Sequence, residues 1–329
     1  MKGKISSICA ILILAILLSA CGGAGGQSQK SRVALVTWGL VTGDPYNALA
    51  YQGLQKAEKD LGIEIAVNDE GQTESEWEAT FRDYASQGYN MVIGHGWNFA
   101  DVAQKVAADF PNTSFVVIGG VVEGKNLSSV VFEDQYAGYL AGVLAARLTK
   151  TGIVGTIAGF EGEGVYYQVN SFYQGVKATN PDVKAIVAYA GAWDDPAKGN
   201  ELAVSMIEGG ADVINHYAAA TGMGALEAAE KAGVWGISDV STCKESSPKT
   251  CLTSHDVYFD NIVYQLVEMY LNGKLEGKVY YWGLAEKAVG LGPVNQSAPK
   301  EAVDEVNAVQ QKMMSGNLKL EQDYGTPDW

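Results

Sequence analysis

The sequence predicts an α/β protein with two lobes, each a parallel sheet flanked by helices. Short runs rich in β-branched residues alternate with stretches whose apolar residues recur at helical spacing, and this rhythm runs twice along the chain. Such alternation is typical of parallel strands joined by helices that cover both faces of a sheet. A hydrophobic fraction of 47% over 329 residues is enough for two cores.

The first cycle occupies residues 33–132. Its predicted strands cover 33–37, 63–67, 91–93, 115–118 and 129–132. Between the first two strands, Ala50, Leu54 and Ala57 fall on one helical face, and Gly62 ends that helix. The apolar faces of two further helices are marked by Trp77, Phe81, Tyr84 and Ala85, and by Val102, Val106 and Phe110.

The second cycle begins with a predicted helix over 136–148. Strands follow at 153–158, 185–189, 213–215 and 234–237, and helices at 167–178, 196–207 and 224–232. Asp194-Asp195-Pro196 predicts an N-cap with proline in the first turn. Beyond this cycle we predict a helix over 258–271, a strand over 279–282 and a helix over 300–318.

The first 20 residues have the pattern of an export signal. Lys2 and Lys4 precede an apolar run from 8 to 18, which is shorter than the roughly 20 residues that span a bilayer as a helix. The run ends in Leu18-Ser19-Ala20-Cys21, which resembles a bacterial lipobox, so we expect a lipid on Cys21. An ordinary signal peptide with an incidental cysteine is the alternative. Residues 21–32, rich in Gly, Ser and Gln, are expected to form a flexible linker.

The exported part of the chain is strongly acidic. Loss of residues 1–20 removes Lys2 and Lys4 and no acidic residue, so the net charge of −15 becomes −17. Nucleic-acid binding depends on basic contacts to phosphate, and adsorption to anionic lipid depends on basic segments. The charge therefore argues against both, and together with the export signal it excludes a transcription regulator.

The remaining cysteines, Cys243 and Cys251, flank a short polar segment. In an oxidising compartment this pattern favours a disulfide, with two free thiols as the alternative. A metal site is not expected, because no histidine stands at ligand spacing from them.

The sequence lacks the common motifs of catalysis and cofactor binding: no nucleophile elbow, P-loop or His-Glu-x-x-His occurs. His95 and His216 each follow a predicted strand, where we expect satisfied polar side chains that line a crevice, rather than a metal site or a catalytic base. The sequence therefore predicts no cofactor and no enzymatic activity.

Large aromatic side chains follow predicted strands in both cycles. These are Trp38 and Tyr46, beside Asn47, after the first strand, Trp97 after the third, and Trp193 in the second cycle. Ligands of parallel sheets bind at the carboxyl ends of the strands, and rings from two lobes can clamp a planar ligand. Packing within the lobe interface is the alternative for each single ring. Asp239 also ends a strand and could accept hydrogen bonds from a ligand, or could cap a helix or turn.

Several segments together resemble the basic membrane protein family of bacterial lipoproteins. They are Pro45-Tyr46-Asn47, Val131-Phe132-Glu133-Asp134-Gln135, Gly191-Ala-Trp193-Asp-Asp-Pro-Ala-Lys-Gly199, Gly209-Gly-Ala-Asp212, Thr221-Gly-Met-Gly224 and Leu252-Thr-Ser254. The family comprises substrate-binding components of ABC importers. The resemblance implies a type I periplasmic-binding fold with three crossovers. Its N-terminal lobe would hold residues 33–133 and 257–283, and its C-terminal lobe 134–256 and 284–329.

The resemblance also implies a binding site for a flat heteroaromatic molecule, a purine nucleobase or nucleoside. The residues implied are Tyr46, Asn47, Trp97, Asn170, Trp193, Thr221, Gly222 and Asp239, with Tyr46 and Trp193 as the stacking pair, and the strand-end aromatic pattern adds Trp38. Three departures from the family pattern are Thr37-Trp38-Gly39, where an opening with Asp is usual, Gly119, where an acid is expected, and the region of Val257, where a lysine is expected. Segment 168–172 and Trp193 are similar to members that bind a free base.

The partners expected from the resemblance are a small purine-like ligand and an ABC permease, with the protein itself a monomer on the outer face of the cell membrane. Two alternatives remain for a protein with this clamp. A surface nucleoside-processing enzyme would need a cluster of carboxylates at the strand ends. A signalling receptor would use the same clamp with a different partner.

Overall fold

The computed structural model describes residues 30–42, 45–71, 73–240, 243–244 and 247–327, and within them the strands form two sheets. The strands of the first sheet are β1 (Arg32–Thr37), β2 (Glu64–Asn68), β3 (Met91–His95), β4 (Ser114–Ile118), β5 (Leu127–Phe132) and β11 (Val279–Trp282). Their order is β11-β5-β4-β3-β1-β2, and all these pairings are parallel. This sheet is the centre of the N-terminal lobe.

The second sheet is the centre of the C-terminal lobe. Its strands are β6 (Ile153–Ala158), β7 (Lys184–Tyr189), β8 (Val213–Tyr217), β9 (Trp235–Val240), β10 (Cys251–Val257) and β12 (Val289–Leu291). Their order is β12-β10-β9-β8-β6-β7, and only the β10–β12 pairing among them is antiparallel. The fold class predicted from the sequence, two parallel sheets with helices around them, is confirmed.

Helices cover both faces of each sheet. They are α1 (Pro45–Leu61), α2 (Glu74–Ser86), α3 (Ala100–Ala107), α4 (Gln135–Leu148), α5 (Glu163–Thr179), α6 (Pro196–Glu208), α7 (Ala219–Ala232), α8 (Phe259–Leu271) and α9 (Lys300–Met314). In the N-terminal lobe, α1 packs on α8, and α2 on α3. In the C-terminal lobe, α4 packs on α5, and α6 on α7. The buried strand residues are the near-continuous apolar runs that a doubly covered parallel sheet requires.

The chain crosses between the two sheets three times. The first crossing joins β5 to α4, the second joins β10 to α8, and the third joins β11 to β12. Three crossovers are what the resemblance implied. Because the parallel strands of both lobes run toward these crossings, their carboxyl ends border the same cleft.

Two helices begin at caps that satisfy their first backbone N–H groups. Thr73 and Glu76 form a reciprocal capping box at the start of α2. The Asp195 carboxylate accepts from the Lys198 N–H at 3.0 Å, with Pro196 in the first turn of α6. The predicted N-cap at this place is confirmed.

Several elements differ from the sequence prediction: α5 begins at Glu163 rather than at residue 167, and α9 ends at Met314 rather than at residue 318. Strands β10 and β12 were not predicted, and α7 begins at Ala219 rather than at residue 224. Glycine disfavours a helix, but here Gly222 and Gly224 allow close packing. A Cβ on Gly224 would lie 1.8 Å from the Pro196 carbonyl oxygen, and one on Gly222 would lie 2.0 Å from His216 Nδ1. Tertiary packing therefore overrides the propensity.

Candidate ligand-binding cleft

The carboxyl ends of the strands carry most of the side chains that the sequence singles out. Trp38 follows β1, Trp97 follows β3, and Trp193 lies four residues after β7. Asp239 is the penultimate residue of β9. The fold thus places aromatic rings on the cleft side of both lobes and a carboxylate on that of the C-terminal lobe.

Tyr46 belongs to an aromatic cluster that forms the cleft wall of the N-terminal lobe. Its ring centroid lies 4.5 Å from that of His95 and 4.1 Å from that of Phe259. Phe259, the first residue of α8, also meets Phe132 edge-on at 5.5 Å. Since Phe132 ends β5 and Phe259 starts α8, this cluster stands beside the first and second crossovers.

His95 is a neutral hydrogen-bonding group in this cluster. Burial lowers the pKa of His95 to about 3. Its Nε2 lies 3.1 Å from the Tyr46 carbonyl oxygen; a carbonyl only accepts, so Nε2 carries the proton. Nδ1 is then an acceptor, and no described residue donates to it. The expectation that the His95 side chain is hydrogen-bonded therefore holds for Nε2 but not for Nδ1.

Asn47 and Thr37 fix the loop that carries Trp38. The Asn47 amide nitrogen donates to the Gly39 carbonyl at 3.2 Å, and the Thr37 hydroxyl donates to the same oxygen at 2.7 Å. Asn47 Oδ1 is buried and has no hydrogen-bond donor among the described residues. Trp38 itself remains 41% exposed. Asn47 thus supports the loop with its nitrogen, and its oxygen has unused hydrogen-bonding capacity.

Trp97 is the most exposed of the predicted aromatic residues, with 76% of its surface accessible. It opens a single 3₁₀ turn, Trp97–Phe99, whose last residue is fully buried against Phe81 and Trp77. The buried Phe99 anchors the turn, so that Trp97 is displayed at the rim of the N-terminal lobe.

Trp193 stands at the rim of the C-terminal lobe. Its ring lies on Gly159, where a Cβ would come within 2.3 Å of ring atoms, and beside Phe160 at a centroid distance of 5.7 Å. Trp193 and Phe160 nevertheless remain 42% and 44% exposed. Two large rings therefore form an accessible apolar surface here.

Thr221 holds the loop that bears Trp193. Its hydroxyl donates to the Ala192 carbonyl at 3.0 Å and accepts from the Asp195 N–H at 2.9 Å. Its own N–H donates to the Trp193 carbonyl at 3.1 Å. The sequence predicts Thr221 as a ligand contact, whereas in the structure the bonds of its hydroxyl go to this loop.

Gly222 lies over the ring of His216 in the first turn of α7. Burial lowers the pKa of His216 to about 4, so the ring is neutral. Neither ring nitrogen has a hydrogen-bond partner among the described residues. The expectation that His216 is a satisfied polar side chain is therefore wrong.

Asp239 begins a hydrogen-bonded chain across three strands. Its Oδ1 lies 3.1 Å from His255 Nδ1, and His255 Nε2 lies 3.1 Å from Asn215 Oδ1. The His255 ring stacks on Tyr217 at 4.3 Å between centroids. The Asp239 side chain retains 21% exposure. The hydrogen bonds therefore orient a carboxylate that is still partly accessible. His255 and Asn215 were not predicted from the sequence.

Asn170 contacts the C-terminal segment of the chain. Its amide nitrogen donates to the carbonyls of Asp323 and Gly325 at 2.9 and 2.8 Å. The ring of Tyr324, between them, meets Tyr167 at 5.4 Å. The resemblance assigns Asn170 to the ligand. In this structure its amide nitrogen holds the C-terminal segment instead.

A partly buried carboxylate at the first crossover has no counterpart in the sequence prediction of the site. Asp134 accepts from the Tyr167 hydroxyl at 2.9 Å and from the Gln168 amide at 2.8 Å. Burial raises the pKa of Asp134 to about 6, against the opposing effect of those two hydrogen bonds. The sequence feature that could have indicated Asp134 is its position two residues after β5, where the chain passes from one lobe to the other.

Cys243 and Cys251 form a disulfide, as the sequence predicts. Cys21 lies outside the described residues. Within those residues no three His, Cys, Asp or Glu side chains are grouped as metal ligands. None of the helices that the structure describes combines the length and hydropathy needed to span a bilayer.

A family model described as "Bmp: ABC transporter substrate-binding protein PnrA-like" matches residues 30–323. The chain belongs to the Bmp family. The resemblance stated from the sequence is thereby confirmed, and the family description is that of a substrate-binding protein of an ABC transporter.

Relatives of this Bmp-family chain carry different names. It is 26% identical over 288 residues to "Transcriptional activator protein med" of Bacillus subtilis (strain 168), covering 88% of this chain and 90% of that one. It is 28% identical over 242 residues to "ABC transporter nucleoside-binding protein BmpA" of Lactococcus lactis subsp. cremoris, covering 70% and 69%.

A solved structure shows the same fold. An ABC transporter solute-binding protein from Conexibacter woesei superposes with a TM-score of 0.78 at 23% identity, over 89% of this chain and 99% of that one. The fold of this Bmp-family chain thus agrees with that of an experimentally determined structure.

Gly119 is the position at which the resemblance to the Bmp family implied an acid. It has a φ of +90°, and a Cβ there would lie 3.5 Å from the Phe132 ring and 3.9 Å from the Tyr46 hydroxyl. A side chain at this position would therefore reach the aromatic cluster. Glycine leaves that part of the cleft wall without charge and with more room.

Proposed function

We propose that this Bmp-family protein captures a flat heteroaromatic molecule, a purine nucleobase or nucleoside, between its lobes and delivers it to an ABC permease. The observation that carries the proposal is the presentation of Trp193. Thr221 ties the loop around it at three points, yet Trp193 remains 42% exposed. Exposing a large, fixed ring is unfavourable in isolation, and a stacking ligand would cover it.

The opposite lobe supplies the complementary wall. Tyr46 is backed by His95 and Phe259, so its ring is held for stacking. Asn47 Oδ1 is a buried acceptor without a donor in the described part of the chain. An aromatic base that stacks on this ring would also carry the N–H donors that such an acceptor needs.

Asp239 supports recognition of hydroxyl groups. Its carboxylate is oriented by His255 and keeps partial exposure. A carboxylate is an acceptor only, with a capacity of about four hydrogen bonds, so the His255 contact leaves room for donors of a ligand. This is the feature that favours a nucleoside over a free base.

The same proposal places the protein outside the cell membrane. A lipid on Cys21 and a flexible linker up to residue 32 would hold the two lobes near a permease in the same membrane. The net charge of −17 that remains after loss of Lys2 and Lys4 with residues 1–20 would keep the body away from anionic lipid, because like charges repel.

The direct test is isothermal titration with adenine, hypoxanthine, guanosine, inosine and riboflavin, combined with mass spectrometry of any small molecule that co-purifies. We expect saturable binding of at least one purine and no chemical turnover. Trp193→Ala is expected to weaken that binding by roughly tenfold or more, the loss of a stacking ring. Val204→Ala is the matched control, since Val204 is similarly exposed, at 40%, in the same lobe.

Two results would contradict the proposal. If none of the five compounds binds the folded protein, the purine assignment is wrong. If free base is released from guanosine or inosine, the protein is a nucleoside-processing enzyme instead.

A further inference from the structure

Val240, the residue after Asp239, has an unusual backbone conformation. Its φ is +62°, in the left-handed region. A β-branched residue seldom adopts this region, and does so only where the surrounding structure imposes it. The chain therefore changes direction immediately after the carboxylate that faces the cleft.

The reversal brings the chain back along its own strand. Cys243 Sγ lies 4.0 Å from the Gly236 carbonyl oxygen and 3.7 Å from that of Thr253. Three residues after Val240, the chain is thus beside the middle of β9 and next to β10. Cys243 and Cys251 are buried there with Leu226 of α7.

The disulfide joins this reversal to the beginning of β10. Cys251 pairs with Gly236, and an irregularity between Cys251 and Thr253 shifts the register. As a result of the shift, His255 stands opposite Asp239. The disulfide therefore ties together the two strands that bring the Asp239 carboxylate to its imidazole partner.

We infer that the Cys243–Cys251 disulfide is a positioning element of the ligand site. It holds Val240 in the left-handed conformation and fixes the β9–β10 register, and thereby sets Asp239 against His255. This rests on the proposed function, in which Asp239 accepts hydrogen bonds from the ligand. Neither cysteine touches the ligand in this account.

The first measurement needs no ligand. The chain has three histidines, so ¹⁵N-histidine spectra are simple, and the signals of His255 are assigned with a His255→Gln variant. In the Cys243→Ser/Cys251→Ser variant, we expect the His255 Nδ1 signal to move toward its position in Asp239→Asn. An unchanged signal in the folded double variant would overturn the inference, whether or not a purine binds.

The second measurement is a binding cycle with guanosine as the probe. Loss of the disulfide is expected to weaken guanosine binding about tenfold, the value of one hydrogen bond to a charged group. The same loss in an Asp239→Asn background is expected to change affinity less than twofold, since the carboxylate is already gone. Additive losses would mean that the disulfide acts elsewhere. No guanosine binding by the wild type would count against the proposed function only.

Rescue by Val240→Gly separates positioning from general stability. Glycine adopts positive φ without the Cβ penalty. In the double-serine background it is therefore expected to restore the His255 signal and most of the guanosine affinity. If the double-serine variant does not fold, the triple variant is measured in its place. A triple variant that is also unfolded, or folded with a displaced His255 signal, would overturn the inference.

Discussion

Thr221 and Trp193 are joined backbone to backbone, with the Thr221 N–H 3.1 Å from the Trp193 carbonyl oxygen. The Thr221 hydroxyl bonds to Ala192 on one side of the ring and to Asp195 on the other. Thr221 is fully buried, whereas the tryptophan is not. Because the loop is fixed before any ligand arrives, binding has to order fewer groups, and this favours affinity.

Thr221→Val is expected to lower both stability and affinity. The substitution preserves shape but leaves the Ala192 carbonyl and the Asp195 N–H without their partner, at a cost of about 1–3 kcal/mol in unfolding free energy. Urea denaturation measures the stability, and titration with the best-binding purine measures the affinity. Thr221→Ser, which keeps the hydroxyl, is the control. Unchanged affinity in the folded valine variant would show that the loop does not need this anchor.

Asp239→Asn is expected to distinguish a nucleoside site from a nucleobase site. If Asp239 accepts from sugar hydroxyls, the loss of charge should weaken inosine and guanosine binding by roughly 10–100-fold, while adenine and hypoxanthine binding stays nearly constant. Isothermal titration of the four compounds measures this. Asp182→Asn, at an exposed position of the same lobe, controls for net charge. Equal losses for bases and nucleosides would contradict a role toward the sugar.

Most of the fold follows from local patterns in the sequence. The apolar run at 33–37 predicts β1 to within one residue, because burial on both sheet faces dictates it, and Gly62 correctly marks the end of α1. Strand β10 does not follow, because it begins at a disulfide and includes a register shift. The early start of α7 depends on packing of Gly222 against His216, which no local pattern reveals.

The candidate site residues that lie in loops directly after strands could be predicted from the sequence. Trp97 and Trp193 stand out because large rings are rare in polar loops, and the structure places both at the rims of the lobes. His255 and Asn215 could not be found this way, since their contact joins positions 40 residues apart. The tail contact of Asn170 joins positions 153 residues apart.

The contact between Asn170 and the C-terminal segment yields a test of that residue's role. If the role of Asn170 is to hold the C-terminal segment, Asn170→Ala and truncation after residue 320 should lower the melting temperature by similar amounts. The two changes combined should lower it by little more than either change alone. Purine affinity should be the same in all three variants. Val204→Ala is again a control for an exposed position. A loss of affinity in Asn170→Ala that the truncation does not reproduce would assign the amide to the ligand instead.

His216 is expected to make the folded protein sensitive to acid. The folded-state pKa of His216 lies near 4, against an ordinary value of 6.5, so between these values the unfolded chain binds a proton that the folded chain does not. Stability is therefore complete above pH 6.5 and falls as the pH drops toward 4, by an amount on the order of 3 kcal/mol.

The matched variants His216→Gln and Asp134→Asn should shift this pH dependence in opposite directions. The pKa of Asp134 is raised from 3.8 to about 6, so its contribution to stability is present below pH 3.8 and lost as the pH rises through 6. Unfolding free energies from urea titrations at several pH values between 4 and 6.5 give the slope. His216→Gln should make stability rise less steeply with pH, and Asp134→Asn more steeply, each by up to about 1.4 kcal/mol per pH unit. A slope unchanged by His216→Gln would mean that the imidazole binds a proton as readily in the folded protein as in the unfolded chain, and would contradict a neutral, buried ring beneath Gly222.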